Sequence, residues 1–304
     1  MKNEKLTSAA SPSAPKAYLL AARPKTWIAS CSPVLLGTAF VPHIQWQIFF
    51  LTLLFSLLIQ IGTNYANDYF DFINGADSKL RIGPKRATQE GWIAAQSMFL
   101  ATLTAFVCAI LIAIPLMLIA GLWSLFLAAA CIAFGILYTG GPKPLGYLGL
   151  GEALVFLFFG PIATCGTTFL QTGSVTLPVF IASLAPGFLS CTILIANNLR
   201  DEKSDRATNK RTLIVRFGRT FGCWEYTLSV FLACLIPLIL VLAFGLPVSL
   251  ALTSLTFVAA IPLIKKVFQF RDPLELISVL QGSASLLFLY TILFCLTLFL
   301  GNPT

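Results

Sequence analysis

Residues 46–71 read WQIFFLTLLFSLLIQIGTNYANDYFD, an apolar run that breaks abruptly into amides and carboxylates. A membrane-spanning helix needs roughly 20 mainly apolar residues. The stretch 46–66 supplies them before Asn67, Asp68 and Asp71 appear, with Asn64 just ahead and Asp77 beyond. The same pattern returns later: the run 176–198 ends in Asn197 and Asn198, then Asp201 and Asp205. Basic residues follow each cluster, Lys79, Arg81, Lys85 and Arg86 in one case and Arg206, Lys210, Arg211 and Arg216 in the other.

Working outward from these two stretches, the whole chain is greasy. Hydrophobic residues make up 57% of it and charged residues 11%, with a mean hydropathy of +0.86, the composition of an integral membrane protein. Apolar stretches near 18–41, 46–66, 97–118, 120–138, 147–170, 176–198, 224–244, 247–264 and 277–300 predict nine spans. They are expected to be helices, because backbone in hydrocarbon must satisfy its own hydrogen bonds, and the alternation of barrel strands is missing. The predicted fold is an all-α integral membrane bundle of about nine transmembrane helices, around a cavity open to the cytoplasmic side.

Charge sets the expected orientation. All twenty Lys and Arg residues fall in the N-terminal segment or in the loops after the second, fourth, sixth and eighth spans. The positive-inside rule then places the N-terminus in the cytoplasm and the C-terminus outside, in a multi-pass protein of the cell (inner) membrane. The net charge of +8 is one-sided for this reason and gives no indication of nucleic acid. Residues 1–16 are expected to be a disordered cytoplasmic tail, and 17–304 the membrane domain. Arg23-Pro24-Lys25 interrupts the first span and belongs at the interface, with Trp27 as its anchor. The eight cysteines show no CxxC spacing and read as small packing residues. His43 is the only histidine, which leaves little material for histidine-based acid–base or zinc chemistry.

The chemistry lies in the two clusters. Helical residues four apart share a face, with Cβ atoms roughly 5–6 Å apart. Asn67 with Asp71, and Asn64 with Asp68 and Asp71, form such sets, as do Asn197, Asp201 and Asp205, while Glu202 points elsewhere. Carboxylates gathered at a membrane boundary disfavour one another's charge unless a cation neutralises them. Mg²⁺ suits oxygen ligands and takes one or two carboxylates together with phosphate oxygens. The matched clusters are therefore expected to face one another across a shared cavity and hold a diphosphate through Mg²⁺, with Arg and Lys gripping the other oxygens. Apolar walls point to a lipid diphosphate whose allylic C–O bond breaks. Tyr138 is the aromatic residue best placed to line the site. Solvated helix ends beside ordinary basic loops are the plainer reading, and the repetition of the pattern argues against it.

These residues carry a family resemblance. Asn67-Asp68-Tyr69-Phe70-Asp71 and Asp201-x-x-x-Asp205 resemble the paired aspartate-rich motifs of the UbiA-type membrane prenyltransferases. Four further segments are similar to the 1,4-dihydroxy-2-naphthoate polyprenyltransferase branch: Arg23-Pro-Lys-Thr-Trp with Ser32-Pro-Val-Leu-Leu-Gly37, Arg81-Ile-Gly-Pro-Lys-Arg86, the run from Gly140 to Glu152, and Asn197-Asn-Leu-Arg-Asp201. The resemblance implies transfer of a polyprenyl chain to 1,4-dihydroxy-2-naphthoate with loss of its carboxylate, giving demethylmenaquinone. It implies Mg²⁺ held by Asn67, Asp68, Asp71, Asp77, Asn197, Asp201 and Asp205. The general pattern places an aspartate four residues after Asp71, where this chain has Gly75, so Asp77 is the displaced candidate.

Asp71, Asp201, Asp205, Lys143 and Tyr138 are the expected catalytic set. Arg81, Arg86, Arg200, Lys210 and Arg211 are expected on the diphosphate, and Arg23 and Lys25 on the acceptor. Glu152, inside the fifth span, is expected to pair with Lys143 or Arg200 or to assist deprotonation. The implied partners are a polyprenyl diphosphate, the aromatic acceptor and membrane lipid; no obligate protein partner is implied. Rival readings are another acceptor such as 4-hydroxybenzoate or a porphyrin, a cation-coupled transporter, and a catalytically silent lipid-binding protein. The transporter would place its carboxylates at mid-membrane, whereas these gather at one face with Arg and Lys.

Overall fold

The computed structural model describes residues 12–75, 83 and 85–301. Among them the regular structure is helical throughout: α1 (Ala14–Ala21), α2 (Trp27–Ala39), α3 (Trp46–Ile73), α4 (Ala95–Ala120), α5 (Trp123–Leu137), α6 (Gly151–Leu157), α7 (Ala163–Thr172), α8 (Leu177–Ala207), α9 (Leu213–Phe217), α10 (Arg219–Phe244), α11 (Thr256–Gln269) and α12 (Leu276–Gly301). Among the described residues, seven helical segments are long and apolar enough to cross a membrane. The shorter α5 and the broken α1–α2 segment occupy the other two expected spans.

Three expectations change in detail. The first span is not continuous: α1 ends at Ala21, Arg23 takes a left-handed φ of 52°, and a short turn over Pro24–Thr26 leads into α2. Proline has no amide hydrogen to continue a helical ladder, and Trp27 Nε1 instead donates to the carbonyl of Ala22 at 2.9 Å. Helix α1 also begins at Ala14, inside the range 1–16 expected for the polar tail. Finally, α3 and α8 run on to Ile73 and Ala207, well beyond the expected ends at 66 and 198. Both polar clusters therefore ride on rigid helix, and the loops after them are shorter than expected.

Helix α8 is the central post. In its apolar window 72% of residues are buried, against 22% for α3. Without a hydrophobic drive between helices in lipid, close approach depends on small residues and polar contacts. Gly160 and Gly187 meet where a Cβ on Gly187 would lie 2.7 Å from the Phe156 carbonyl. Buried tyrosines tie α10 to α12: Tyr226 Oη lies 2.8 Å from Ser283 Oγ, and Tyr290 Oη donates to the Ala233 carbonyl at 3.1 Å. All eight cysteines are free, in keeping with packing roles.

Between α6 and α7 the chain widens into one π-turn, Phe158–Ile162, containing Pro161. Such a turn accommodates a missing helical hydrogen bond without breaking the span. It places both Phe158 and Phe159 on the wall of a central cavity.

Candidate active site

The cavity occupies about 730 Å³, within the range of small-molecule sites. Its α3 wall is a single stripe from Thr52 through Phe55, Ile59 and Asn64 to Asp71, about 28 Å at the helical rise. Trp123, Leu127, Cys131, Phe134 and Tyr138 form the α5 wall, and Leu154, Phe158, Ile162 and Leu170 face them from α6–α7. Charged groups concentrate at the Asp71 end, and the rest is mainly apolar with scattered Ser, Thr and Gln side chains.

Both clusters reach this one cavity. Asn67, Asp68 and Asp71 line it from α3, and Asn197, Asn198 and Arg200 from α8, with Lys210 from the following loop. Arg23, Lys25, Arg86 and Tyr138 line it too. Asp201 and Asp205 are buried beside it and meet it through their cations. Arg200 grips Asp201 with both arms, Nε to Oδ1 at 2.8 Å and Nη2 to Oδ2 at 2.6 Å, and also donates to Asn197 Oδ1 at 2.7 Å. Lys210 Nζ lies 3.3 Å from Asp205 Oδ1, and Arg86 Nη2 lies 2.7 Å from Asp71 Oδ2.

Several expectations are corrected here. Asp68 already has two partners: its Oδ2 accepts the Ala87 amide at 3.1 Å and its Oδ1 the Thr88 amide at 2.9 Å. It anchors the loop that carries Arg86 and also lines the cavity. Lys143 is exposed and Arg211 is exposed, and neither lines the cavity. Arg211 instead hydrogen-bonds Asn209 at 3.4 Å, because the turn after α8 directs it outward. Glu152 pairs with neither Lys143 nor Arg200: its Oε1 accepts from Asn198 Nδ2 at 2.8 Å. Asp77 and Arg81 lie outside the described residues.

Two residues at the site, Tyr147 and Thr139, were not anticipated from sequence. Tyr147 Oη donates to Asp71 Oδ1 at 2.8 Å, and Lys210 Nζ stands 5.8 Å from the centre of the Tyr147 ring. Tyr147 thus joins Asp71 of the first cluster to the cation of the second. Its signal was a lone hydroxylated aromatic in the glycine-rich run between Gly140 and Glu152. Thr139 Oγ1 donates to Asn67 Oδ1 at 2.8 Å and had no comparable signal.

The donor set fits a hard divalent cation. Every candidate ligand offers oxygen, and among the described residues no three His, Cys, Asp or Glu side chains gather into one metal cluster. An ion here would complete its shell from substrate oxygens and water, the habit of Mg²⁺.

A model of the UbiA prenyltransferase family matches residues 30–292. The chain belongs to this family. The 1,4-dihydroxy-2-naphthoate octaprenyltransferase of Haemophilus influenzae is 34% identical across 99% of the chain and 98% of that protein. The Mycobacterium tuberculosis protein of the same name is 40% identical over 204 residues, 66% of this chain and 70% of the relative. In fold, the chain is similar to a UbiA homolog from Archaeoglobus fulgidus solved with GPP and Mg²⁺, at a TM-score of 0.65 and 16% identity over 91% of this chain and 99% of that one. The family resemblance expected from the motifs stands, and so does the helical membrane architecture.

Proposed function

We propose that this prenyltransferase moves a polyprenyl chain from an allylic polyprenyl diphosphate to 1,4-dihydroxy-2-naphthoate, releasing the carboxylate as CO₂ and giving demethylmenaquinol, the reduced form of demethylmenaquinone, and diphosphate. The observation that carries the reading is one cavity with both Asn/Asp clusters and their cations at one end and apolar walls along the rest. The names of the full-length relatives support the acceptor. A fold neighbour bound to GPP and Mg²⁺ supports the cofactor.

Binding comes first. Arg86, Arg200 and Lys210 are already held at the polar end by Asp71, Asp201 and Asp205, so an arriving diphosphate offers each cation a second anionic partner. The prenyl tail lies against Phe134, Phe158 and Leu127, where water is excluded. Asn67, Asp68, Asp71, Asn197, Asp201 and Asp205 would hold Mg²⁺, which would supply charge neutralisation to the departing diphosphate. Tyr147 keeps Asp71 oriented, and Thr139 does the same for Asn67. Arg23 and Lys25, at the cavity wall near the break between α1 and α2, are suited to the acceptor's carboxylate.

The bonds balance without an oxidant. The allylic C–O bond breaks and its electron pair leaves with diphosphate. Ring electrons form the new C–C bond, and the carboxylate's bond pair returns to the ring as CO₂ departs. Tyr138 and the phenylalanine rings present π-faces to positive charge on the allylic carbon. Asp77 and Arg81 keep their proposed places as a ligand and a diphosphate contact. The basic end is assigned to the cytoplasmic face of the cell (inner) membrane, with the N-terminus inside and the C-terminus outside.

The test is prenyl transfer by the purified protein, with 1,4-dihydroxy-2-naphthoate and 4-hydroxybenzoate offered in competition. The expected product is prenylated naphthoquinol together with one equivalent of CO₂. Preferred prenylation of 4-hydroxybenzoate would overturn the acceptor assignment.

A further inference from the structure

A second pocket, of about 530 Å³, opens where α11 turns into α12 and shares no residue with the central cavity. Lys265, Lys266 and Arg271 line it, with Pro262, Phe270 and Glu275. Basic residues beside a helix end usually serve its terminal carbonyls, but here that task is taken by another residue. Arg219 crosses from α10 and donates from Nη2 to the carbonyls of Phe268 and Phe270, at 3.1 and 2.7 Å, with its guanidinium 3.6 Å from the centre of the Phe270 ring.

The nearby acids are also committed. Glu275 Oε1 accepts the amides of Arg271 and Asp272 at 3.1 and 3.0 Å, and Asp272 Oδ1 accepts the Leu274 amide at 2.9 Å. Lys266 Nζ is oriented by Ser278 Oγ at 2.7 Å. Among the described residues three cations therefore surround the pocket against one carboxylate, Glu275, which is held by backbone amides and lies near Lys266 and Arg271.

Below the cations the surface turns apolar. Val258 and Ile261 are exposed on α11, three and four residues apart along the face that leads to Lys265. Near the end of α11 Trp224 and Phe268 pack edge to face at 5.3 Å, both exposed, as aromatic residues do at a membrane–water boundary. An anionic group above two apolar chains matches this surface in both charge and polarity. A free phosphate would match only the upper half.

We propose that the pocket binds an anionic glycerophospholipid, with its phosphate on Lys265, Lys266 and Arg271 and its acyl chains along Val258 and Ile261. Basic pockets at the inner membrane surface attract such headgroups. The site is independent of the prenyl-transfer reading, since none of its residues lines the reaction cavity.

The test is native mass spectrometry of the full chain in detergent with equal phosphatidylglycerol and phosphatidylcholine, with and without excess inorganic diphosphate. The protein is expected to retain phosphatidylglycerol selectively and to keep it when diphosphate is added. The combined Lys265→Ala, Lys266→Ala, Arg271→Ala variant should lose about tenfold or more of that retention at low salt, with prenyl transfer and thermal unfolding unchanged. Lys265→Glu, a single change at an exposed position, provides a second reading and should lower retention about fivefold. Equal retention of the two lipids, variants that retain lipid like the parent, or displacement by inorganic diphosphate would each overturn the proposal.

Discussion

The two Asn/Asp clusters look alike in sequence and are wired differently. At the end of α8 the described ties of the two carboxylates are short-range: Arg200 bonds Asp201 next to it and Asn197 three residues back, and Lys210 meets Asp205 five residues away, while Asn198 reaches Glu152 of α6. At the end of α3 every tie comes from elsewhere in the chain. Asp71 is held by Arg86 and Tyr147, Asp68 by the amides of 87 and 88, and Asn67 by Thr139. One cluster is set mainly by its own helix and the turn after it, and the other is assembled by two loops folding over it. A matched motif therefore predicts a shared ligand better than it predicts a shared construction.

That contrast can be broken experimentally. The largest effect on stability is expected from Asp201→Ala, because the Arg200 side chain is only 1% exposed. Removing one partner of a buried ion pair costs about 3–5 kcal/mol, and urea or thermal unfolding in detergent would show it. Asp68→Ala should cost about 2 kcal/mol by leaving two buried amides without an acceptor. It should also raise KM for the prenyl diphosphate, since the loop it anchors carries Arg86. An Asp68→Ala variant with normal KM would show that the loop needs no anchor. The smallest effect on stability is expected from Tyr147→Phe, about 1.5 kcal/mol, the lower end for one hydrogen bond to a charged group. It should appear as a small shift in unfolding with a roughly tenfold loss in kcat/KM.

The same contrast explains what sequence could reveal. Spans and clusters were legible because hydropathy and helical spacing are local properties. Arg200 and Lys210 were legible for the same reason, lying near the carboxylates they serve. Tyr147 was not, because its contact with Asp71 bridges 76 positions and its place in the glycine-rich run does not point to that partner. Lys143 and Arg211 misled for the converse reason. A basic residue near a motif carries the right charge, while backbone direction decides whether it faces the cavity. The break at Arg23 and the extension of α3 and α8 also escaped hydropathy, since polar residues can continue a helix after the apolar run has ended.

The central claim is that both clusters hold one diphosphate through a divalent cation. The direct measurement is equilibrium binding of a polyprenyl diphosphate to the purified protein, with Mg²⁺ and with chelator, for the parent, Asp71→Asn and Asp201→Asn. Binding is expected to weaken by about 100-fold on chelation, a loss within the reach of charge-assisted phosphate and metal contacts. Each variant should bind weakly with Mg²⁺ and be nearly insensitive to its removal. Tight binding by the parent in chelator, or a variant that keeps the full response to Mg²⁺, would contradict the account.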